Sequence, residues 1–253
     1  MQIKGKTVAI TGGGRGLGRA MALEFASRGG NLALIDLGAA DLEETRRLCA
    51  EQGVNARAYT CNVTSEEQVI ATMNAIVTDF GSFDVLINNA GIVKDGLLIK
   101  IKDGKVVGKL SLEQWNAVIG VNLTGVFLCG REAAERMVGL GRGGVIINIS
   151  SISKDGNFGQ TNYSAAKAGV ASMATVWAKE LGRYGIRVGA IAPGFCATDI
   201  LSSMTPETLA KVIAPVPLKR LGQPIEIART AVFIVENDFF TGRTLAVDGG
   251  LRL

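Results

Sequence analysis

Tyr163 and Lys167 stand four residues apart in Tyr163-Ser-Ala-Ala-Lys167, and on a helix that spacing puts a phenol and an ammonium on one face. A free phenol titrates near 10 and exchanges protons poorly at neutral pH. A neighbouring cation favours the phenolate and lowers that value. At about 1.4 kcal/mol per unit, reaching neutrality takes roughly 4 kcal/mol of differential stabilisation. The chain has no histidine, which excludes His-dependent triads and His-ligated metals. A proton-transfer site must then use carboxyl, Lys, Cys or Tyr side chains, and the pair leads that field. The same spacing also suits an ordinary surface helix, so its surroundings must decide.

A second constellation lies near the N-terminus. Thr11-Gly-Gly-Gly-Arg-Gly-Leu-Gly18 follows an apolar run and opens a helical pattern, with Gly12, Gly16 and Gly18 spaced G-x-x-x-G-x-G. Glycines let the backbone approach a pyrophosphate, and a helix N-terminus supplies free N–H groups and partial positive charge. Asp36 ends the next apolar run. A carboxylate there accepts hydrogen bonds from ribose hydroxyls and repels a 2′-phosphate, which favours NAD. Arg15 pulls the other way, because a cation in the loop can pair with the 2′-phosphate of NADP.

These residues need a scaffold, and the pattern supplies one. Apolar runs at 7–11, 31–36, 56–61, 85–88, 145–150, 187–192 and 243–247 alternate with helical patterns near 17–27, 42–52, 66–79, 112–137, 165–183 and 225–235. Continuous apolar strands separated by helices predict an α/β fold, a parallel sheet covered on both faces. No repeat or linker divides residues 1–253, so one domain is expected. Leu97–Leu110 departs from the alternation. Asp103-Gly104 between apolar segments predicts a short inserted β-hairpin at the rim of the sheet.

Composition narrows the setting. Of 253 residues, 47% are hydrophobic and 20% charged, as in an ordinary globular protein. The net charge of +4 is spread among 27 basic and 23 acidic residues, and no basic stripe predicts a nucleic-acid partner. No apolar run reads as a membrane span, and the chain leads directly into a strand, so no signal peptide is expected. Cys49, Cys61, Cys129 and Cys196 form no CxxC pair, so a reducing, cytoplasmic setting without a metal is expected.

Together the motifs TGGGRGLG (11–18), NNAG (88–91), VNLTG (121–125), INISS (147–151), YSAAK (163–167), APG (192–194) and VDGG (247–250) resemble the classical short-chain dehydrogenases/reductases over essentially the whole chain. The resemblance implies a three-layer, Rossmann-type doubly wound sheet of about seven parallel strands, an NAD(P) cofactor and a homotetramer that buries the end of the chain at 248–253. It makes Tyr163 the acid/base that exchanges a proton with the substrate oxygen. Lys167 would hold the nicotinamide ribose and lower the tyrosine pKa, and Asn122 would anchor a water that links Lys167 to solvent. Gly12, Arg15, Gly16, Leu17, Gly18, Asp36, Val63, Asn89, Ala90 and Gly91 would line the cofactor. Asn62 would contact adenine where the family more often has Asp. Pro193 and Gly194 would lie beside the nicotinamide, Thr198 would bind its carboxamide, and residues 196–219 would form a mobile substrate lid.

The catalytic serine has two candidates. Aligning the strand end selects Ser151, whereas the family's usual separation from the tyrosine selects Ser150. From Ser151 the separation is twelve, one residue short, and a loop tolerates a deletion better than a strand tolerates a register shift. Ser151 is therefore preferred. Within the family, NNAGIVKDGLLIKIKD, GQTNYSAAKAGV, APGFCATDI and PLKRLGQPIEIA most resemble 3-oxoacyl-[acyl-carrier-protein] reductases. The expected function is hydride transfer between NAD(H) and a ketone or secondary alcohol, chiefly reduction of 3-oxoacyl thioesters. The alternatives are a dehydrogenase of small or cyclic secondary alcohols and, remotely, a non-catalytic dinucleotide sensor.

Overall fold

The computed structural model describes residues 1–197 and 205–253. Strands and helices alternate as β1 (Thr7–Thr11), α1 (Gly16–Ser27), β2 (Asn31–Asp36), α2 (Ala39–Ala50), β3 (Ala56–Thr60), α3 (Glu66–Phe80) and β4 (Val85–Asn88). After a hairpin of β5 (Ile99–Lys102) and β6 (Lys105–Lys109) come α4 (Leu112–Ile119), α5 (Val126–Leu140), β7 (Gly144–Ile149), α6 (Thr161–Leu181) and β8 (Ile186–Pro193). The order closes with α7 (Pro206–Ile213), α8 (Pro224–Glu236) and β9 (Thr244–Val247).

The main sheet has seven strands in the order β3-β2-β1-β4-β7-β8-β9, and every pairing in it is parallel. Successive side chains on a strand point to opposite faces, and each face has its own core. Val8 and Ile10 join Leu32, Leu34 and Ile87 beneath Met21 and Phe25 of α1 and Ile227 and Ala231 of α8. Ala9, Ile35, Leu86 and Ile146 face Val69 and Met73 of α3, Ala133 of α5 and Ala174 of α6. This three-layer arrangement is the expected one. The chain runs outward from β1 to β3, then crosses back to β4 on the other side of β1. That reversal opens a crevice beyond the carboxyl ends of the strands, where doubly wound sheets bind ligands.

Three local features differ from the sequence expectations. The helical pattern at 112–137 is not one helix, because a π-helical turn at Gly120–Gly125 separates α4 from α5. Leu112–Leu140 is nevertheless a helical run long and apolar enough, by composition, to cross a bilayer, against the expectation that no run is. More than half of its most apolar stretch is buried in the protein, so its apolarity serves the core. The expected hairpin is present, with Asp103 and Gly104 both at positive φ, but it forms a separate two-stranded sheet with no pairing to the main one.

Truncating the core and trimming the hairpin should therefore differ sharply. Leu34 is fully buried, and Leu34→Ala is expected to lower the unfolding free energy by about 2–5 kcal/mol in urea titrations. Lys102→Ala, on the exposed hairpin, should change it by no more than about 0.5 kcal/mol.

Candidate active site

Lys167 reaches the crevice from the second turn of α6, and its side chain is almost wholly buried. Its ammonium donates to the Ile149 carbonyl at 2.7 Å, where β7 ends, and lies 5.6 Å from the centre of the Tyr163 ring. Burial pushes Lys167 down to about 8. Tyr163 sits in the first turn of the same helix. Burial pushes its phenol up, the Ser151 hydroxyl favours the phenolate, and the Asp95 carboxylate opposes it. This reverses the expected direction. The i, i+4 spacing does bring the pair together, but desolvation of the phenol wins. Lys167 also loses its proton near 8, before the phenol titrates, and then lends no positive charge. A further cation beside the phenol would offset part of that burial.

The two serines separate by orientation. Ser150 donates its hydroxyl to the Lys167 carbonyl at 2.7 Å, so it fastens the end of β7 to α6 and points away from the phenol. Ser151 faces Tyr163, and its oxygen accepts from the Ser153 N–H at 3.1 Å, which opens the short 3₁₀ turn at Ile152–Asp155. The shorter loop is taken up between this turn and α6, with β7 kept in register with β4 and β8.

Asn122 lies in the π turn and is fully buried. Its amide accepts from the Ile92 N–H at 2.8 Å and donates to the Ile92 carbonyl at 2.9 Å. The side chain thus fixes the strand-end loop 89–92 against the helix. A Cβ on Gly91 would come within 3.4 Å of the Asn122 amide oxygen and 3.7 Å of the Lys167 ammonium, so this loop, Asn122 and Lys167 share one wall. π turns recur at functional sites because they re-aim a helix locally.

The glycine loop forms the other end of the crevice. Gly12 has φ of 65°, and a Cβ there would lie 2.9 Å from Ala90 Cα and from Asn89 Nδ2. A Cβ on Gly18 would collide with the Gly12 carbonyl oxygen, so neither position admits a side chain. Thr11 Oγ1 accepts from the Asn89 and Ala90 N–H groups at 3.0 Å, and Asn89 Nδ2 donates to the Thr11 and Gly12 carbonyls at 3.0 Å. Helix α1 begins at Gly16-Leu17-Gly18 with no side-chain cap and no acid in its first turn. Its leading N–H groups are open to an anion, which is the donor set a pyrophosphate needs.

Asp36 is set at the end of β2 by the Gly14 N–H at 3.1 Å and the Leu37 N–H at 2.7 Å. Arg15 is exposed at the start of α1. The Asn62 side-chain oxygen accepts from the Thr64 N–H and hydroxyl at 3.0 and 2.8 Å, so any contact with adenine falls to its NH₂ as donor. Val63 packs its side chain into the core, and its carbonyl lies against Gly125. Pro193 ends β8, and Gly194 donates to the Val247 carbonyl at 2.9 Å. Thr198 lies outside the described residues, as does part of the 196–219 segment.

Sequence reasoning passed over several positioning residues. Arg19 and Thr45 both donate to the Gly14 carbonyl, Thr45 at 2.7 Å and Arg19 Nε at 3.0 Å, and so clamp the glycine loop from outside. Asn162 is buried; its NH₂ donates to the Lys94 and Gln114 carbonyls at 3.0 and 3.2 Å, and its oxygen accepts from the Tyr163 N–H at 2.8 Å. Asp95 is held by Gln160 Nε2 at 3.1 Å. A polar residue just before Tyr163 was a usable signal for Asn162, whereas Asp95 had none in the sequence.

A phenol, a hydroxyl and a buried ammonium thus converge at one end of a crevice whose other end offers uncapped helix N–H groups to an anion. The family profile described as Enoyl-(Acyl carrier protein) reductase matches residues 12–252. The chain belongs to the short-chain dehydrogenase/reductase family. It is accordingly an oxidoreductase of carbonyl and alcohol groups that uses a nicotinamide dinucleotide. Its relatives include 3-oxoacyl-[acyl-carrier-protein] reductases of Thermotoga maritima, 37% identical over 99% of both chains, and of Haemophilus influenzae, 39% identical over 99% of this chain and all of that one. Among solved structures, a levodione reductase superposes with a TM-score of 0.88 at 32% identity, covering 98% of this chain and 97% of the other.

Two measurements follow. Ser151→Ala should lose most turnover while keeping dinucleotide affinity, whereas Ser150→Ala should mainly lose about 1–3 kcal/mol of stability through the orphaned buried carbonyl; the reverse pattern would contradict the assignment. Asp95→Asn removes a negative charge that disfavours the phenolate. The acid limb of alcohol oxidation should therefore move to lower pH in a pH–rate profile.

Proposed function

We propose that this short-chain reductase reduces 3-oxoacyl thioesters to 3-hydroxyacyl thioesters with Tyr163 as proton donor, and that it prefers NAD(H). The observation that carries the substrate class is the full-length likeness to 3-oxoacyl-[acyl-carrier-protein] reductases at 37–39% identity. When bound, the dinucleotide supplies the hydride. The chain's own groups do the rest. Ser151 and Tyr163 hold the substrate carbonyl oxygen, Tyr163 gives it a proton, and Lys167 and Asn122 position the phenol and the ribose side of the crevice. The positive charge of oxidised nicotinamide is a further cation that offsets part of the phenol's burial.

Gly12, Gly16, Leu17 and Gly18 would cradle the pyrophosphate, with Asn89, Ala90, Gly91, Pro193, Gly194 and the Val63 backbone along the crevice. Asp36 supports NAD because its carboxylate is already oriented by two N–H groups, and on this reading it would accept from the ribose hydroxyls. Arg15 is the residue through which NADP would bind instead. Reduction of a small or cyclic ketone is the second reading, favoured by the likeness to a levodione reductase. A cytoplasmic homotetramer is part of the proposal. Phe127, Arg131, Val138, Trp177 and Tyr184 line an outward groove of about 420 Å³ between α5 and α6, an apolar face suited to a second copy.

Turnover of acetoacetyl thioesters and of cyclic diketones, each with NADH and NADPH, tests the reading. Thioester reduction with NADH should dominate, Tyr163→Phe should abolish it with dinucleotide binding retained, and Asp36→Ala should shift the NADH-to-NADPH efficiency ratio at least tenfold toward NADPH, about 1.4 kcal/mol. Efficient turnover confined to cyclic ketones would overturn the substrate assignment.

A further inference from the structure

Asp248-Gly249-Gly250, just past β9, makes a tight turn that neither sheet core uses. The Asp248 carboxylate accepts from the Gly250 N–H at 2.9 Å, and the Asp248 carbonyl accepts from the Leu251 N–H at 3.2 Å. Gly249 and Gly250 have φ of 65° and 87°, a region that side chains disfavour. A Cβ on Gly249 would also lie 2.8 Å from Val216, and one on Gly194 would lie 2.7 Å from Asp248 Cα. The Leu218 N–H donates to the Gly249 carbonyl at 3.3 Å. The turn is thus pressed between the end of β8 and the segment that follows α7. It delivers Leu251 inward: that side chain is buried, whereas Arg252 and Leu253 are exposed.

Leu251 enters a third core, separate from the two that cover the sheet. Its other buried members are Ile152 and Val216, with Phe195 packed against them. Ile152 directly follows Ser151 and begins the 3₁₀ turn that Ser151 opens. Among the described residues, the side-chain bonds of this turn stay inside it, from the Ser153 N–H to Ser151 and from Lys154 to Asp155. The turn also lies against α6 and β8, but its first residue is held by apolar packing in the third core. Close packing transmits a lost volume to its neighbours. A void at Leu251 therefore loosens Ile152, and with it the direction of the hydroxyl one residue earlier.

We propose that Leu251 is a positioning residue for the proton-transfer site: by filling the core it shares with Ile152 and Val216, it fixes the turn that aims Ser151 at the substrate oxygen. The inference rests on the assignment of Ser151 rather than Ser150. It gives the VDGG motif a task in the reaction, because the glycine turn is what carries Leu251 into that core. A displacement of about 1 Å at a group that orients the reacting atoms can cost on the order of a hundredfold in rate.

The test is a double-mutant cycle of Leu251→Ala and Ser151→Ala in the full chain, at a temperature where melting curves show every variant folded. Turnover of acetoacetyl-CoA and of a cyclic diketone is measured together with NADH affinity. Leu251→Ala alone should lower kcat about tenfold or more, with NADH affinity and oligomeric mass unchanged. The volume-conserving Leu251→Met should restore it. In the Ser151→Ala background, Leu251→Ala should cost less than about twofold. If Leu251→Ala does not fold, Val216→Ala should show the same pattern, whereas Val232→Ala in the α8 core should lower only Tm. A tyrosinate titration needs no ketone. The Ser151 hydroxyl favours the phenolate, so each single variant should move the Tyr163 midpoint to higher pH and the double variant no further, with Lys167 and Asp95, the charged groups beside the ring, left in place. An equal loss of kcat in both backgrounds, a rise in KM alone, a fall in Tm without kinetic change, or a changed oligomeric mass would each overturn the proposal. Full turnover in Ser151→Ala would remove the serine assignment and the inference with it. Lost turnover there, with Leu251→Ala as active as the wild type, would remove the inference alone.

Discussion

The site depends on one buried ammonium. Lys167 has left bulk water for a position where, among the described residues, its ammonium has one protein acceptor, the Ile149 carbonyl, and a buried cation survives only where neighbouring groups compensate its lost hydration. That requirement ties the end of β7 to the second turn of α6. Ser150 reinforces the tie from the other side by bonding the Lys167 carbonyl. With the two elements locked, Ser151 is turned toward the phenol and Asn122 and Gly91 close the wall beside the ammonium. The same burial holds Lys167 near 8 and raises Tyr163, so in the protein alone the phenol is favoured in its protonated form. Ionisation near neutrality is coupled to a further positive charge arriving in the crevice.

This coupling gives a physical reason for building the two ends of the crevice on one sheet. The glycine loop, clamped through Gly14 by Arg19 and Thr45, would on the proposed reading fix where an anionic pyrophosphate lies. Thr11 and Asn89 then carry that register across from β1 to the end of β4. A ligand anchored at the loop therefore reaches the phenol along a path set by backbone hydrogen bonds. Such preorganisation is where a proton-transfer site gains most over its separate parts.

Much of this was legible in the sequence, for definable reasons. The strands β1, β2, β4 and β7 are buried on both faces, so their apolar runs were unbroken and easy to read. The glycine loop was legible because Gly12 and Gly18 meet steric demands that no side chain satisfies. Asp103-Gly104 announced its own turn. The π turn was not legible, because helical periodicity across 112–137 continues through it; it shows only where Asn122 grips Ile92. The direction of the Tyr163 shift was also hidden. Spacing reports that a cation is near, whereas burial is a property of everything packed around the ring, including Asp95 from a distant loop. Choosing between Ser150 and Ser151 needed the orientation of two adjacent hydroxyls, which sequence spacing constrains only through the loop that follows them.

The most direct test is a tyrosinate absorbance titration of Tyr163, taken as the difference between wild type and Tyr163→Phe, for the protein alone and saturated with oxidised dinucleotide. The account predicts that Tyr163 ionises above the ordinary phenol value of about 10 in the protein alone and falls well below it in the complex. An unshifted Tyr163, with the same value in both conditions, would contradict it.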